Sequence, residues 1–219
     1  MDYLKLFTPF RTGKMEVKNR IVMSPMGLNA AHPDGRIGDD EIDYFEERAR
    51  GGVGLIIAGC QFLTEELAQG SLEGYLDKTY VIPQLTNLCE AVQKYGTKIC
   101  AQLSCGTGKN AFSNMLKDVP VSASPIPSMF NPDLLCRALT VEEIHEIMKQ
   151  FNFSAKLLKN AGFDAIEVHA HAGYLVDQFM SAVWNKRTDE YGGTPEKRMR
   201  FAIEIVQSIR KAVGPDFPI

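Results

Sequence analysis

Short apolar runs alternate along this chain with longer segments in which apolar residues recur at helical spacing. The runs predict strands at residues 21–23, 53–58, 98–103 and 164–170, because continuous apolar runs are typical of parallel strands buried on both faces. The periodic segments predict helices at residues 41–50, 82–95, 141–161 and 195–213. Each predicted strand is followed by a helix, which indicates parallel strands joined by helical crossovers.

Signals at the ends of the predicted helices support these boundaries. Asp39 or Asp40 can cap the first helix through a side-chain oxygen. Thr140 stands three residues before Glu143, which is the capping-box pattern and predicts the start of the helix that follows. Before that helix, residues 104–139 form one long predicted loop rich in Pro, Ser and Asn, and loops of this length are usually functional or mobile.

The strand–helix alternation is compatible with two α/β architectures, a doubly wound sheet and a (β/α) barrel. No G-x-G-x-x-G motif follows the first strand, which weakens the dinucleotide-binding sheet. A (β/α)8 barrel needs about 250 residues, and this chain of 219 residues contains about four βα units, with a fifth strand predicted to start at 217–219. We therefore expect residues 1–219 to form the N-terminal portion of a TIM-barrel domain, with the rest of the barrel and any later domains absent.

The composition excludes several classes of function. The formal charge of −3 gives no basic stripe for nucleic acid or an anionic membrane. No segment approaches the roughly 20 apolar residues of a transmembrane helix, and the first residues lack a signal-peptide pattern, so a cytoplasmic protein is expected. The five cysteines form no C-x-x-C pair, which predicts reduced thiols and no metal site.

Five stretches of the sequence act together as a family signature. They are LFTPF at 6–10 with VKNRIVMSPM at 17–26, RARGGVGLI at 48–56, AQL at 101–103, EVHAHAGYL at 167–175 and NKRTDEYGG at 185–193. In this order they resemble the Old Yellow Enzyme family of flavoproteins. The most similar branch contains 2,4-dienoyl-CoA reductases, 2-enoate reductases and bile-acid enone oxidoreductases, in which an iron–sulfur cluster and an FAD and NAD(P) region follow the barrel.

The resemblance implies an FMN cofactor at the C-terminal ends of the strands, where barrel active sites lie. It places Pro25, Met26 and Gly27 against the flavin ring, and gives Gly59, at the end of the second strand, a similar position. It also implies that Gln102 bonds the polar edge of the flavin pyrimidine and stabilises charge on the reduced ring. Without the resemblance, these residues would be ordinary strand ends and an amide satisfied by neighbouring backbone.

The resemblance also assigns the chemistry. Tyr174 matches the family's proton donor. A phenol, with an unperturbed pKa of about 10, is neutral at pH 7 and can donate its proton. His169 matches the histidine that holds the substrate carbonyl and contacts the flavin. The family's second carbonyl ligand is His or Asn at the position of Ala172, whereas here a histidine stands one residue earlier, at His171. Either His171 or a residue beyond this chain supplies that second donor, or His171 is a solvated loop histidine.

The predicted function is therefore FMN-dependent reduction, or reversible formation, of the activated C=C bond of an enone, 2-enoate or enoyl-CoA. NADH or NADPH would be the reductant, and an iron–sulfur cluster and FAD could belong to the missing C-terminal part. The expected partner is a small-molecule substrate, and a homo-oligomer is left open. Two alternatives remain: a flavin-dependent amine dehydrogenase on the same fold, against which Tyr174 argues, and an inactive truncated fragment.

Overall fold

This computed structural model describes residues 3–68, 71–111 and 119–219 of the chain. These residues contain eight short strands and six α-helices. The strands are β1 (Phe10–Thr12), β2 (Met15–Val17), β3 (Val22–Met23), β4 (Leu55–Phe62), β5 (Lys98–Ser104), β6 (Val121–Ser122), β7 (Arg137–Ala138) and β8 (Ala165–Val168). The helices are α1 (Asp39–Arg50), α2 (Glu65–Ala68), α3 (Ile82–Gln93), α4 (Val141–Ala161), α5 (Leu175–Met180) and α6 (Pro195–Val213).

The central element is a four-stranded parallel sheet with the strand order β3-β4-β5-β8. Neighbours in this sheet are consecutive along the chain apart from the short β6–β7 pair, which lies in the connection between β5 and β8. The long helices pack side by side, α1 against α3, α3 against α4 and α4 against α6. The predicted alternation of parallel strands and helical crossovers is confirmed.

The two faces of the sheet belong to different cores. Ile56, Ile99 and Ile166 face the helices and join the large apolar core. Cys100 and Ala165 face the other way and pack with the β1–β2 hairpin. The hairpin thus covers the N-terminal ends of the strands on that second face and leaves their C-terminal ends free to form a site.

A β-bulge interrupts β4 near its C-terminal end. Ala58 pairs with Ala101, but Cys60 pairs with Gln102, so Gly59 is an extra residue without a partner on β5. Side chains alternate between the faces of a sheet, and one extra residue inverts that alternation. Cys60 therefore points to the same face as Gln102, away from the helices.

The predicted cap of α1 is wrong. Gly38 is the N-cap residue and makes no side-chain bond, while Asp39 and Asp40 lie inside the first turn together with Glu41. The amides of Glu41 and Ile42 bond to the Gly38 carbonyl instead. Carboxylates in a first turn still interact favourably with the helix dipole, which explains acidic residues here without a capping bond.

The capping box of α4 is confirmed. Thr140 Oγ1 accepts from the Glu143 amide at 3.2 Å, and Glu143 Oε2 accepts from the Thr140 amide at 2.7 Å. The helix ends at Gly162, whose φ of 103° is a left-handed conformation that glycine adopts without strain.

Several segments differ from the sequence predictions, among them the unpredicted β1–β2 hairpin and helix α2. The loop 104–139 contains the β6–β7 pair and a short 3₁₀ turn at Gly108–Asn110, while its residues 112–118 lie outside the described part of the chain. Helix α5 was not predicted, because its six residues are too few to show a helical period. Residues 217–219 form no strand, although the Pro218 carbonyl accepts a 3.1 Å hydrogen bond from the Ile166 amide of β8.

Candidate active site

A cavity of about 390 Å³ lies at the C-terminal ends of β3, β4, β5 and β8. Seven of the eight residues predicted for the site line it, namely Pro25, Met26, Gly27, Gln102, His169, His171 and Tyr174. Its other lining residues are Asn29, Cys60, Phe62, Ala68, Ser71, Leu72, Glu73 and Thr107. We call this space the strand-end cavity. Side chains distant in the sequence meet here because parallel strands bring their C-terminal ends to one edge.

Gly59, the eighth predicted residue, lies behind the wall of the strand-end cavity. A Cβ atom added at Gly59 would collide with the Met26 carbonyl oxygen, and one added at Gly27 would lie 2.5 Å from Glu73 Oε1. At both positions, therefore, a side chain would first collide with other atoms of the protein. The flavin contact expected at these two glycines stays a prediction.

Gln102 is buried and its orientation is fixed by a carboxylate. Its Nε2 donates a 2.8 Å hydrogen bond to Glu167 Oε1, on the neighbouring strand β8. An ionised carboxylate only accepts hydrogen bonds, so the amide nitrogen must face it. The Gln102 carbonyl oxygen has no bond to a described residue and remains available to a donor on a ligand.

Three rings from the segment after β8 meet in the cavity. The ring centroid of His169 lies 4.5 Å from that of His171 and 4.3 Å from that of Tyr174. The His169 amide donates to the Leu103 carbonyl at 2.9 Å, which continues the pairing with β5 past the end of β8. His171 lines the cavity and is exposed to solvent, so its ring lies beside those of the other site residues, and its role as the second donor stays a prediction.

His169 is a neutral imidazole at physiological pH. Burial lowers the pKa of His169 to about 4, and the neighbouring His171 acts in the same direction. A neutral imidazole has one donor and one acceptor nitrogen. Its Nδ1 is buried and has no hydrogen-bond partner among the described residues, so the ring is left with unused hydrogen-bonding capacity.

Tyr174 keeps its proton well above neutral pH. Burial raises the pKa of its phenol, and the ionisable groups of Cys60 and Glu73 add to the effect. The side chain is half-buried in the cavity wall. A neutral O–H that faces a cavity is a suitable proton donor to a bound ligand.

A tight turn places Tyr174, and it holds an unusual conformation. Ala172 has a φ of 59°, in the left-handed region that costs an alanine about 1 kcal/mol. The Ala172 carbonyl accepts a 2.9 Å hydrogen bond from Asn110, and the Gly173 amide donates to Asp177 Oδ2 at 2.8 Å. These bonds hold the turn in place, with Ala172 on it rather than on the cavity wall.

Gln178 joins this turn to two other segments. Its Nε2 donates to the carbonyls of Gly173 and Thr107, and its Oε1 accepts from Ser122 Oγ at 2.7 Å and from the Lys109 amide at 3.3 Å. The side chain is fully buried. One amide therefore fixes the loop after β5, the strand β6 and the turn before Tyr174 relative to one another.

The sequence did not indicate several residues of the cavity. Cys60 was predicted only as a reduced thiol without a role in the site, but the bulge at Gly59 turns it into the cavity. Burial raises the pKa of the Cys60 thiol to about 12, so it is not a nucleophile at neutral pH. Glu73 gave no signal, because it lies in an irregular connection without periodicity.

Comparison with known proteins identifies the family. Residues 5–219 match the NADH:flavin oxidoreductase / NADH oxidase family. The chain is 42% identical over 224 residues to the cinnamate reductase of Clostridium sporogenes, with 100% of this chain and 34% of that protein covered. It is 42% identical over 221 residues to the NADH oxidase of Thermoanaerobacter brockii, with 98% of this chain and 33% of that protein covered.

Comparison with solved structures agrees with the comparison of sequences. A 2-naphthoyl-CoA reductase in complex with 2-naphthoyl-CoA superposes with a TM-score of 0.91 at 31% identity, covering 99% of this chain and 35% of that one. Morphinone reductase in complex with tetrahydroNAD gives a TM-score of 0.89 at 28% identity, covering 97% of this chain and 62% of that one.

The chain belongs to the NADH:flavin oxidoreductase / NADH oxidase family. Its fold is the N-terminal portion of the (β/α)8 barrel of the Old Yellow Enzymes, as predicted. The chain spans about a third of the length of three of the curated relatives that it matches.

The strand-end cavity suits a flavin. A flavin ring has flat apolar faces and a polar edge with both donors and acceptors. Pro25 and Met26 supply apolar wall, and Gln102 offers a free carbonyl oxygen beside its fixed amide. The unpartnered Nδ1 of His169 is a buried polar atom that a ligand could satisfy.

Within residues 3–68, 71–111 and 119–219, no helix combines the length and the apolar composition needed to cross a bilayer. In the same ranges, no group of three or more His, Cys, Asp or Glu side chains is placed to hold a metal ion.

Proposed function

We propose that this chain forms the FMN-binding part of an enzyme that reduces the activated C=C bond of an unsaturated carbonyl compound. The single observation that carries the proposal is the meeting of His169, His171 and Tyr174 in one cavity with Gln102. Two imidazoles can hold a carbonyl oxygen while a phenol donates a proton nearby.

The residues that would hold FMN lie on the floor and edge of the cavity. The segment from Pro25 to Gly27 would lie against the ring, and Gln102 would bond its polar edge. Gly59 would act through the backbone of Met26, whose carbonyl it lets approach. When bound, the flavin supplies the hydride, which it receives in turn from NADH or NADPH.

The chain's own residues supply position and a proton. His169, neutral because it is buried, would donate one hydrogen bond to the substrate carbonyl, and His171 at the cavity mouth would donate a second. These bonds withdraw electrons from the conjugated double bond, which prepares the β-carbon for hydride. Tyr174 would give its phenolic proton to the α-carbon, and its raised pKa keeps that proton in place until the carbanion character develops. Oxidation of a C–N bond would not need this donor.

The names of the relatives support a proposal for the substrate class. One is named a cinnamate reductase and a structural neighbour holds 2-naphthoyl-CoA, so an aryl-conjugated carboxylate or its thioester is the proposed substrate. Other relatives are named NADH oxidase and NADPH dehydrogenase. The proposed reductant is therefore either NADH or NADPH. The cinnamate reductase is about three times as long as this chain. We therefore also propose that residues outside the present 219 complete the barrel and add an iron–sulfur cluster and FAD.

The test begins with the visible spectrum of the purified protein and identification of the cofactor released on denaturation. Stoichiometric FMN is expected. Under anaerobic conditions NADH or NADPH should bleach the flavin, and cinnamate or a cinnamoyl thioester should restore its colour while the saturated acid forms. Absence of flavin after addition of FMN, or a bleached flavin that no activated alkene reoxidises, would overturn the proposal.

Gly59→Ala should weaken FMN retention. The new methyl group would push the Met26 carbonyl toward the cavity floor, and we expect the dissociation constant of FMN to rise about tenfold, or about 1.4 kcal/mol. Fluorescence titration of the apoprotein with FMN measures it. Gly214→Ala is the control, because Gly214 has a φ of 85° with open space around it at the end of α6. That variant should lose stability and keep its FMN affinity; equal losses in both variants would show a general folding effect.

A further inference from the structure

Glu73 lies on a short segment, residues 72–76, that is anchored to the central sheet. The Phe62 amide of β4 donates a 2.8 Å hydrogen bond to the Gly74 carbonyl, and the Leu76 amide donates one of 2.9 Å to the Phe62 carbonyl. These two bonds pair the segment with the end of β4 as a parallel strand would. A side chain on this segment is therefore held in a fixed position relative to the sheet.

The carboxyl group of Glu73 reaches from this segment to the β3 loop, which we define as residues 25–30. Its Oε1 accepts a 2.8 Å hydrogen bond from the Asn29 amide, and the side chain is only 6% exposed. Asn29 has a φ of 51°, a left-handed conformation that is uncommon for residues other than glycine. Within the part of the chain that the structure describes, no second hydrogen bond ties the β3 loop to another segment. The conformation of the loop therefore depends on Glu73.

Gly27, also in the β3 loop, has no side chain where the Glu73 carboxyl group lies. A Cβ atom added at Gly27 would lie 2.5 Å from Glu73 Oε1 and 3.2 Å from its Cδ. The φ of Gly27 is outside the left-handed region, so its backbone conformation would accept alanine. The carboxyl group is buried and bonded to Asn29, so an added methyl group would break that bond or displace the loop. The glycine thus makes room for Glu73.

We propose that Glu73 is a positioning residue of the flavin site, which holds the β3 loop in the shape against which the FMN ring lies. The inference rests on the proposed function, in which the segment from Pro25 to Gly27 contacts the ring. That segment lines the strand-end cavity together with Asn29 and Glu73. Glu73 acts through the loop and takes no part in the transfer of hydride or proton.

This role needs a hydrogen-bond acceptor at position 73 and does not need a charge. A carboxyl group accepts through its C=O oxygen whether it is ionised or protonated. Burial raises the pKa of Glu73, so the protonated form is more accessible here than in an exposed glutamate. Glutamine has the shape of the protonated acid and offers the same carbonyl oxygen. Glu73→Gln should therefore keep the β3 loop in place, whereas Glu73→Ala should release it.

Amide hydrogen exchange, followed by NMR on the apoprotein, tests the hold on the β3 loop without FMN. The Asn29 amide should be protected; Glu73→Ala should speed its exchange about tenfold, and Glu73→Gln should keep the protection. The Leu76 amide, bonded to the Phe62 carbonyl, is the internal reference and should exchange at one rate in all three proteins. Unprotected Asn29 in the unaltered protein, or full protection in Glu73→Ala, would overturn the inference.

Fluorescence titration of the apoprotein with FMN tests the consequence for the cofactor. Glu73→Ala should raise the dissociation constant of FMN about tenfold, and Glu73→Gln should change it by less than about twofold. Glu66→Ala is the matched control, because Glu66 is an exposed glutamate of α2 in the same connection, and its affinity for FMN should not change. Unchanged affinity in Glu73→Ala, or an equal loss in Glu73→Gln, would contradict positioning through this hydrogen bond.

A double-mutant cycle tests the fit between Gly27 and Glu73. Gly27→Ala alone should raise the dissociation constant of FMN about tenfold, because the methyl group displaces the carboxyl group. In the Glu73→Ala background the same change should add little, since no carboxyl group is left to displace. The double variant should therefore bind FMN about tenfold more weakly than the unaltered protein, and a loss of about a hundredfold would show that the two residues act independently.

Failure of the proposed function can be told from failure of this inference. If the unaltered protein binds no FMN, the proposed function falls and the role of Glu73 in a flavin site falls with it, while the exchange of the Asn29 amide still decides whether Glu73 holds the β3 loop. If FMN binds and activated alkenes are reduced, but Glu73→Ala keeps full affinity for FMN, the proposed function stands and the role of Glu73 falls.

Discussion

Tyr174→Phe is expected to slow alkene reduction about a thousandfold, which corresponds to about 4 kcal/mol of lost transition-state stabilisation. The substitution removes only the phenolic hydroxyl, the proposed proton donor, from a ring whose centroid lies 4.3 Å from that of His169 in the strand-end cavity. Anaerobic stopped-flow measurement of flavin reoxidation by the alkene gives the rate directly.

The bleaching of the flavin by NADH or NADPH is the internal control for Tyr174→Phe. That half-reaction needs no proton from the phenol, so its rate should not change. Tyr44→Phe makes the same chemical change on α1, outside the residues that line the cavity, and should leave both half-reactions intact. If Tyr174→Phe slows both half-reactions equally, the residue acts by supporting the cavity and not by donating a proton.

Gln178→Leu is expected to lower the free energy of unfolding by about 4 kcal/mol. Leucine has a similar size, but it leaves the carbonyls of Thr107 and Gly173 and the hydroxyl of Ser122 without their present partner. Each buried group left unpaired costs about 1–3 kcal/mol. Urea denaturation followed by circular dichroism measures the loss.

Gln207→Leu is the matched control for Gln178. Gln207 is exposed on α6, and the same substitution there should change stability by less than about 0.5 kcal/mol. Gln178→Leu should also loosen the turn before Tyr174, so any folded fraction should reoxidise its flavin slowly while it still accepts electrons from NADH. A variant as stable as the unaltered protein would show that water replaces the amide at no cost.

The sequence was sufficient to predict the order of the four parallel strands and the four long helices, because each is specified locally. The capping box at Thr140, for example, is read from two residues three apart and was found in place. Prediction failed where a longer-range contact decides the conformation. Gly38 takes the capping position of α1 in place of Asp39 or Asp40, and helix α5 is held by packing of its buried face rather than by its own period.

The site was predictable to a similar extent. Pro25, Gln102 and His169 lie at or next to the C-terminal ends of strands, and parallel strands bring such positions together at one edge of the sheet. Glu73 could not be predicted, since its place on the cavity wall depends on the path of an irregular connection. The family motif also gave no position for His171, and only the structure brings its ring within 4.5 Å of His169.

The bulge at Gly59 makes this wall of the site depend on the register of β4 as well as on its composition. If Gly59 paired with Gln102 and the bulge were lost, the regular alternation of β4 would bring Gln61 to the cavity and turn Cys60 and Phe62 toward the helices. A thiol and an aromatic ring would be exchanged for an amide without any substitution. A change of register at this point is thus a direct route by which such a barrel gains a different substrate preference.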